Sequence, residues 1–520
     1  MKHRLLMAAS LLAASLFAQE FRATISGRAV DSSGGVVPNV TVKAVNVASN
    51  ETSTATTDAS GVYTIPFLRP GQYNITATAS GFKTFNRTNI TLVVGQQAGI
   101  DIPLEVGQVS ESVSVEASGA ILETQTASRS GIIDNQRVVE LPLNARNPFM
   151  LGATQSGVTF RGAAIWQRPF DNGAIAEWSV NGGQQSRNEF LLDGAPNNAQ
   201  LGGNNIALVP VVDAVQEFSI QTNSYDAQYG RTGGGVINVV LKSGGAKHHG
   251  TAWEFMRVAN LNANSFQNNA IRAPRPGGRM DQYGVQLDGP IYIPKLLRKD
   301  GPVKLFYMGT YEGYREGTPN PLRNSFAATE MRTGDFSRLT QPNGQPITIF
   351  DPFTNATDAN GDPVRSPFPG NQIPANRINP VARNVMRFMP TPNFTAPGQR
   401  YATQNFFLPE YVNNDDFYNL NLKFDFNFGD KHRAFMRHAS NDRTEERCSN
   451  GICAGPGMDG QQPFQRINDA YVIDWVSTIN PTSIFNIRAS YNRFIEKGFG
   501  RDNDRFDLTS LGLPSSLVSQ

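Results

Sequence analysis

Long apolar runs are missing from this sequence beyond its first 18 residues, and nothing later approaches the ~20 consecutive apolar residues of a membrane-spanning helix. Any passage through a membrane would therefore have to be made by strands closed into a barrel. Charge is scarce as well. Only 17% of residues are Asp, Glu, Lys or Arg, and 46 basic against 44 acidic side chains leave a net charge of +2. That balance gives no basic footprint for a nucleic-acid partner. Five histidines, one of them His3, offer little general-base equipment. No G-x-S-x-G, no H-E-x-x-H and no paired-carboxylate constellation is spelled. No catalytic residue, cofactor or metal is expected, and the chain does not read as an enzyme. Cysteine is confined to Cys448 and Cys453 in CSNGIC, whose spacing across a Gly-containing turn most simply gives a local disulfide in a secreted protein. A structural zinc site would need about four ligands, which this pair alone does not supply.

What is present points to an exported β protein. The opening MKHRLLMAASLLAASLFAQE places Lys2, His3 and Arg4 before a short apolar run that ends in small residues, the form of a signal peptide over residues 1–18. After it, 48 Gly, 32 Pro and 32 Phe accompany short polar turns that recur throughout, which is an all-β profile.

Residues 21–107 alternate polar and apolar side chains in short runs. Val40, Val42 and Ala44 share one parity, as do Tyr73, Ile75, Ala77 and Ala79, and then Ile100, Ile102, Leu104 and Val106. The spelling G-x-Y-x-I occurs twice, at Gly61 to Ile65 and Gly71 to Ile75. Roughly seven strands in so short a span predict a small β-sandwich. The stretches ISGRAVDSSGGVVPNVTVKA and TTDASGVYTIPFLRPGQYNITATASGFKT resemble the carboxypeptidase regulatory-like domain, a carbohydrate-binding-like sandwich. The resemblance implies a spacer or assembly module rather than a peptidase, with sugar binding open on fold analogy alone.

Residues 108–136 turn Ser, Glu, Thr and Ala rich and read as an exposed linker. One island, Glu111, Ser112, Val113, Ser114, Val115, Glu116 and Ala117, alternates and could add as an edge strand to another protein's sheet. A domain over 137–245 follows, with VVELPLNARNPFMLGATQSGV, WSVNGGQQSRNEFLLDGAPNN and VVDAVQEFSIQTNSYDAQYGRTGGGVINVVLKSGG. Its spelling resembles the plug of TonB-dependent outer-membrane receptors, most closely the Oar-like branch that carries a regulatory-like module in front. The resemblance implies an α+β plug and makes the island a candidate TonB box, the segment that pairs with the energy-transducing TonB protein. A solvated linker stays open beside it. Within the plug, Asp193 and Gly194 after EFLL read as a chain-reversing turn. Arg187, Glu189 and Asp193 are expected to seat the plug against polar residues of a barrel wall. The glycines Gly233 to Gly235 precede a β-branched strand, not a helix, so they predict close backbone packing or a bulge rather than a phosphate loop. Lys247, His248 and His249 read as a solvated turn, since neighbouring histidines on a strand point to opposite faces.

From about Gly250 the alternating segments lengthen. Tyr418, Leu420, Leu422, Phe424, Phe426 and Phe428 form one face of an eleven-residue run, and Asn419, Asn421, Lys423, Asp425 and Asn427 form the other. Phe485, Ile487, Ala489 and Tyr491 repeat the pattern against Asn486, Arg488, Ser490 and Asn492. An apolar face toward lipid and a polar one toward a lumen predict a transmembrane antiparallel β-barrel over residues 246–520. A long extracellular loop is expected at 315–416, with a short helix near Pro380 to Phe388. Asp358 to Asp362 lacks the later ligands of a calcium loop and reads as a turn. About seven barrel strands are legible, against ~22 in plugged transporters. The sequence is therefore expected to be a fragment holding an incomplete barrel.

The expectation is mainly β: a sandwich, an α+β plug and part of a barrel. It implies a bacterial outer-membrane receptor, with its first module in the periplasm, that imports a bulky unknown substrate with TonB and lipid as partners. A surface adhesion or assembly protein anchored by the barrel is the second reading.

Overall fold

The computed structural model describes residues 20–517, less 117–128, 144–145, 161–167, 171–176, 200–204, 226–227, 231, 271, 273, 276, 296, 299–300, 321, 342, 395–403, 409–410, 449–460, 481–482 and 499–506. The expected signal peptide, Ala117 and Cys453 lie outside the described residues.

The first module carries β1 (Ala23–Asp31), β2 (Thr41–Asn46), β3 (Thr52–Thr56), β4 (Val62–Leu68), β5 (Gly71–Thr78), β6 (Thr84–Leu92), β7 (Gln97–Gly99) and β8 (Ile102–Leu104). One sheet runs β4-β1-β7 with β8 also on β1, and the other contains β3-β2-β5-β6. The shared-parity residues explain the sandwich: Val42, Ala44, Tyr73, Ile75, Ile102 and Leu104 all enter one buried cluster between the sheets. The two G-x-Y-x-I strands go to opposite sheets. Each phenol is buried with its hydroxyl satisfied, Tyr63 donating to the Ile100 carbonyl at 2.7 Å and Tyr73 to that of Arg69 at 2.9 Å.

The stretch expected as a linker is divided between its neighbours. β9 (Ser112–Glu116) pairs in parallel with β6 and becomes the edge of the second sheet. β10 (Arg129–Asp134) pairs with a plug strand, which extends the plug sheet N-terminally from residue 137. Ser130 and Gly131 mask its alternation, although Ile133 is buried.

The plug continues with β11 (Val158–Phe160), β12 (Trp178–Val180), β13 (Glu189–Leu192), β14 (Ala195–Pro196), β15 (Asn198–Ala199), β16 (Asn205–Ile206), β17 (Val215–Asn223) and β18 (Val236–Leu241). Its main sheet has the order β10-β17-β18-β13-β14, with β13 and β18 parallel. A short helix at Asn135–Glu140 is capped by the Asp134 side chain, which accepts from the Arg137 amide at 2.9 Å. Phe149, Trp178, Phe190 and Phe218 fill the core, with ring centroids 6.0 to 6.4 Å apart. The glycine run lies tight against Asn188. A Cβ at Gly234 would fall 2.3 Å from the Asn188 side-chain oxygen, and that oxygen accepts from the Gly235 amide at 2.9 Å.

The remaining strands are β19 (His249–Val258), β20 (Arg279–Ile291), β21 (Val303–Pro319), β22 (Leu322–Asn324), β23 (Phe350–Thr357), β24 (Pro363–Pro367), β25 (Phe406–Leu408), β26 (Val412–Phe428), β27 (His432–Cys448), β28 (Gln461–Asn480) and β29 (Ser483–Gly498). Seven of them form one open antiparallel sheet, β19-β20-β21-β26-β27-β28-β29. Lys247 lies in a bend, but His249 opens β19 opposite Asp288 instead of remaining in a turn, because its backbone joins the ladder. The ladder also carries β21 to Pro319 and starts β26 at Val412, narrowing the loop expected at 315–416. That loop is gathered at its base by β22 paired with β25, and between them it holds the β23-β24 hairpin and a helix at Pro380–Met386, begun by Asn379 accepting from the Val381 amide. The Asp358 carboxylate accepts from the amides of Asn360 and Asp362 and closes the turn between β23 and β24.

The two faces of the seven-stranded sheet differ as the alternation requires. Asn419, Asn421, Lys423, Asp425 and Asn427 are buried against the plug and sandwich side, while Tyr418, Tyr471, Ile473, Trp475, Phe485, Ile487 and Tyr491 are exposed on the outer face. Ile473→Arg should therefore destabilise the intact protein in phospholipid vesicles by about 2–4 kcal/mol if it lies near the bilayer midplane. Urea titration of the folded protein in vesicles measures this, and unchanged stability would place that face away from lipid.

Candidate functional site at the plug and wall seam

Asp193 and Gly194 have φ of 47° and 70°, and Leu192 pairs with Ala195 across them. Two consecutive left-handed residues between paired strands make the tight hairpin turn that Asp-Gly favours. The turn presents the Asp193 side chain to the seam. It is fully buried, and its Oδ1 accepts from the Leu241 amide at 3.1 Å, which ties the turn to the end of β18.

Two cations of the wall converge on this carboxylate. Lys423 Nζ on β26 lies 3.0 Å from Oδ1, and Arg437 Nη1 on β27 lies 3.2 Å from Oδ2. Each also donates to a plug carbonyl, Lys423 to Leu241 at 3.2 Å and Arg437 to Leu192 at 2.5 Å. Burial opposes ionisation of Asp193, but the adjoining Lys423 and Arg437 charges outweigh it and hold the carboxyl below its ordinary range. The cluster is a charge-assisted latch between plug and wall.

The other residues expected at the seam are placed differently. Arg187 is exposed, and its carbonyl accepts from Thr232 Oγ1 and the Gly233 amide. Glu189 is buried within the plug sheet, its amide donating to the Gly235 carbonyl at 3.0 Å. Sequence reasoning did not find further seam contacts, among them Asn419 Nδ2 donating to the Val209 carbonyl at 2.8 Å and Arg488 to that of Gly194 at 3.3 Å. A second charged cluster joins Arg168 to Asp415 and Glu316 at 2.9 and 2.7 Å, with Arg443 on the same Asp415. The polar parity of β26 signalled the face, but nothing local pairs residue 193 with residue 423.

Glu111 precedes β9, and Val113 and Val115 lie outside the sandwich core. Cys448 ends β27, so the expected pairing with Cys453 involves a residue outside those described. Among the described residues no group of three or more His, Cys, Asp or Glu side chains converges as a metal site would need.

Residues 240–520 match the outer membrane beta barrel domain family, more than half of the chain. The chain belongs to the outer membrane β-barrel family. Residues 24–105 match the carboxypeptidase regulatory-like domain. The chain is 28% identical over 296 residues to the TonB-dependent transporter Oar of Myxococcus xanthus, covering 56% of this chain and 27% of that protein. It thus spans about a quarter of the length of that relative. These matches set an outer membrane β-barrel domain behind an N-terminal regulatory-like domain, the two parts expected from the sequence. Among solved structures, the outer membrane transporter YddB from Escherichia coli aligns with a TM-score of 0.40 at 10% identity, covering 70% of this chain and 38% of that one. The siderophore receptor PirA from Acinetobacter baumannii aligns at 0.39 and 12%, covering 71% and 40%. The named relatives are transporters and receptors.

Proposed function

We propose that this chain works in a TonB-dependent transporter that imports a bulky substrate across the outer membrane. The observation that carries the reading is the Asp193 latch, in which a plug with its own sheet is held on the polar face of a membrane sheet by ion pairs, beside a small apolar contact with Met308, Ala439 and Ala470 of the wall. Such contacts can be broken and remade without unfolding either side. The short turns of the sheet face the periplasm, as in outer-membrane barrels.

The covalent order gives a route for force. β9, bound to β6 by a backbone ladder, is the segment offered to TonB by strand addition. The chain then leads to β10, the edge of the plug sheet, which pairs with β17, and β17 pairs with β18. β18 ends at Leu241, whose amide and carbonyl touch Asp193 and Lys423. Pulling on β10 therefore loads the latch.

Deleting residues 111–117 from the intact receptor removes β9 but none of the sandwich core. Energy-dependent uptake is expected to fall to background with normal surface display. Uptake of a substrate found by growth of a receptor-deletion strain on iron and glycan panels provides the measurement. Unchanged function would favour the adhesion reading.

A further inference from the structure

We propose that the regulatory-like module is a second gate in series with the plug, clamped across the periplasmic end of the wall by Arg22 and Glu51. The inference rests on the transporter reading above. It starts from where the module spends its charges. Arg22, just before β1, is buried, and its Nη1 lies 2.9 Å from Oδ1 of Asp474 on β28, while Arg488 of β29 holds the other Asp474 oxygen at 2.8 Å. On the other side Glu51, also buried, lies 3.3 Å from Arg433 of β27, and Arg69 lies 3.3 Å from Asp425 of β26. Burial opposes the Glu51 charge, yet Arg69 and Arg433 hold its carboxyl below the ordinary range. All four wall residues lie near the short-turn ends of their strands, which stop or start at Phe428, His432, Asn480 and Ser483.

Apolar and backbone contacts complete the seal. Phe21 joins Val94 of the module, Ala195 and Val240 of the plug, and Phe435 and Val472 of the wall in one buried cluster. The Ala48 carbonyl accepts from the Ala246 amide at 3.0 Å, and the Val94 amide donates to Glu217 on β17. A cavity of about 130 Å³ remains between the three bodies, bordered by Arg22 and Arg69 of the module, Ser243 beyond β18, and Lys423, Asp425 and Arg433 of the wall. A passive spacer would have no cause to bury an Arg and a Glu against another domain, where Arg22 shares its charge between Glu20 at 2.7 Å and the wall, Glu51 shares its own between Arg69 at 3.9 Å and the wall, and each loses one counter-charge when the module leaves. The two gates touch, since Phe435 stacks edge-on with Phe21 at 6.1 Å and lies 5.4 Å from Lys423 Nζ, the latch cation. A path freed by the plug would still end beneath the module.

Gates in series predict a non-additive response. In cells carrying the intact receptor, vancomycin permeation is measured for Asp193→Asn, for Glu51→Arg and for both, with surface display and limited proteolysis of the module as controls. Each single variant is expected to change permeation by less than about twofold, and the double variant to raise it by about tenfold or more. Adding Arg433→Glu to the double variant restores the opposite-charge pair and should return permeation to the Asp193→Asn level. A double variant that permeates no more than Asp193→Asn, with the module demonstrably released, overturns the proposal. So does an Asp193→Asn receptor that is fully permeable alone. The readout uses no transported substrate, so a failure of the importer reading in the 111–117 deletion is seen separately.

Discussion

Asp193→Ala is expected to loosen the plug by about 3–5 kcal/mol, the cost of leaving buried charges without their partner. Lys423 and Arg437 would both remain in the seam, each only a few per cent exposed, with their shared counter-charge gone. The effect should concentrate where the carboxylate is bonded. Amide hydrogen exchange at Leu241, which donates to Asp193, should accelerate by roughly 100- to 4,000-fold in the intact protein, because each 1.4 kcal/mol is a factor of ten. Asp193→Asn keeps the shape and one acceptor but not the charge, so it should fall between wild type and alanine. Placing Lys423→Met in the Asp193→Asn background removes one unpaired cation and should recover part of the loss. Exchange at Leu241 that is unchanged in Asp193→Ala would show that the pair contributes nothing to plug seating.

Raising the pH from about 5 to 8 is expected to weaken the docking of module and plug through Glu217. Burial pushes its carboxyl up to about 8, against the Val94 amide it accepts from and with the nearby Asp134 charge adding to the rise. The folded value lies above the ordinary 4.5 of a glutamate. The folded state therefore binds a proton that the opened state releases. The stabilisation is complete below about 4.5, declines as the pH rises at on the order of 1.4 kcal/mol per unit, and is gone once the pH passes 8. Glu217→Gln mimics the protonated acid and should flatten that dependence while keeping the contact with the Val94 amide. Thermal melts of wild type and Glu217→Gln across pH 5 to 8 test it. Parallel slopes would mean that Glu217 does not titrate in this window.

Period-two patterning made most of the fold legible. The faces of β26 and β29 follow directly from residues 418–428 and 485–492, since a strand has only two sides and a barrel assigns one to lipid. The Asp193-Gly194 turn was legible too, because few residue pairs accept two positive φ values. The partners of Asp193 were not. Lys423 is 230 residues away, and its choice of carboxylate depends on how deeply the plug sits. β10 was hidden by a Ser-Gly step inside a strand whose order comes from pairing with β17. No local pattern around Arg22 or Glu51 signals burial, and only the docked module buries them.

The parallel pairing of β9 on β6 makes the segment we propose for TonB a directional fuse. Its five residue pairs, from Thr84 with Ser112 to Thr88 with Glu116, bear an axial tug together, so the strand resists being dragged along its own length. A sideways tug meets them one at a time and needs far less force. Thermal jostling along the chain would leave the strand in place, and a partner that grips its outer edge could peel it away.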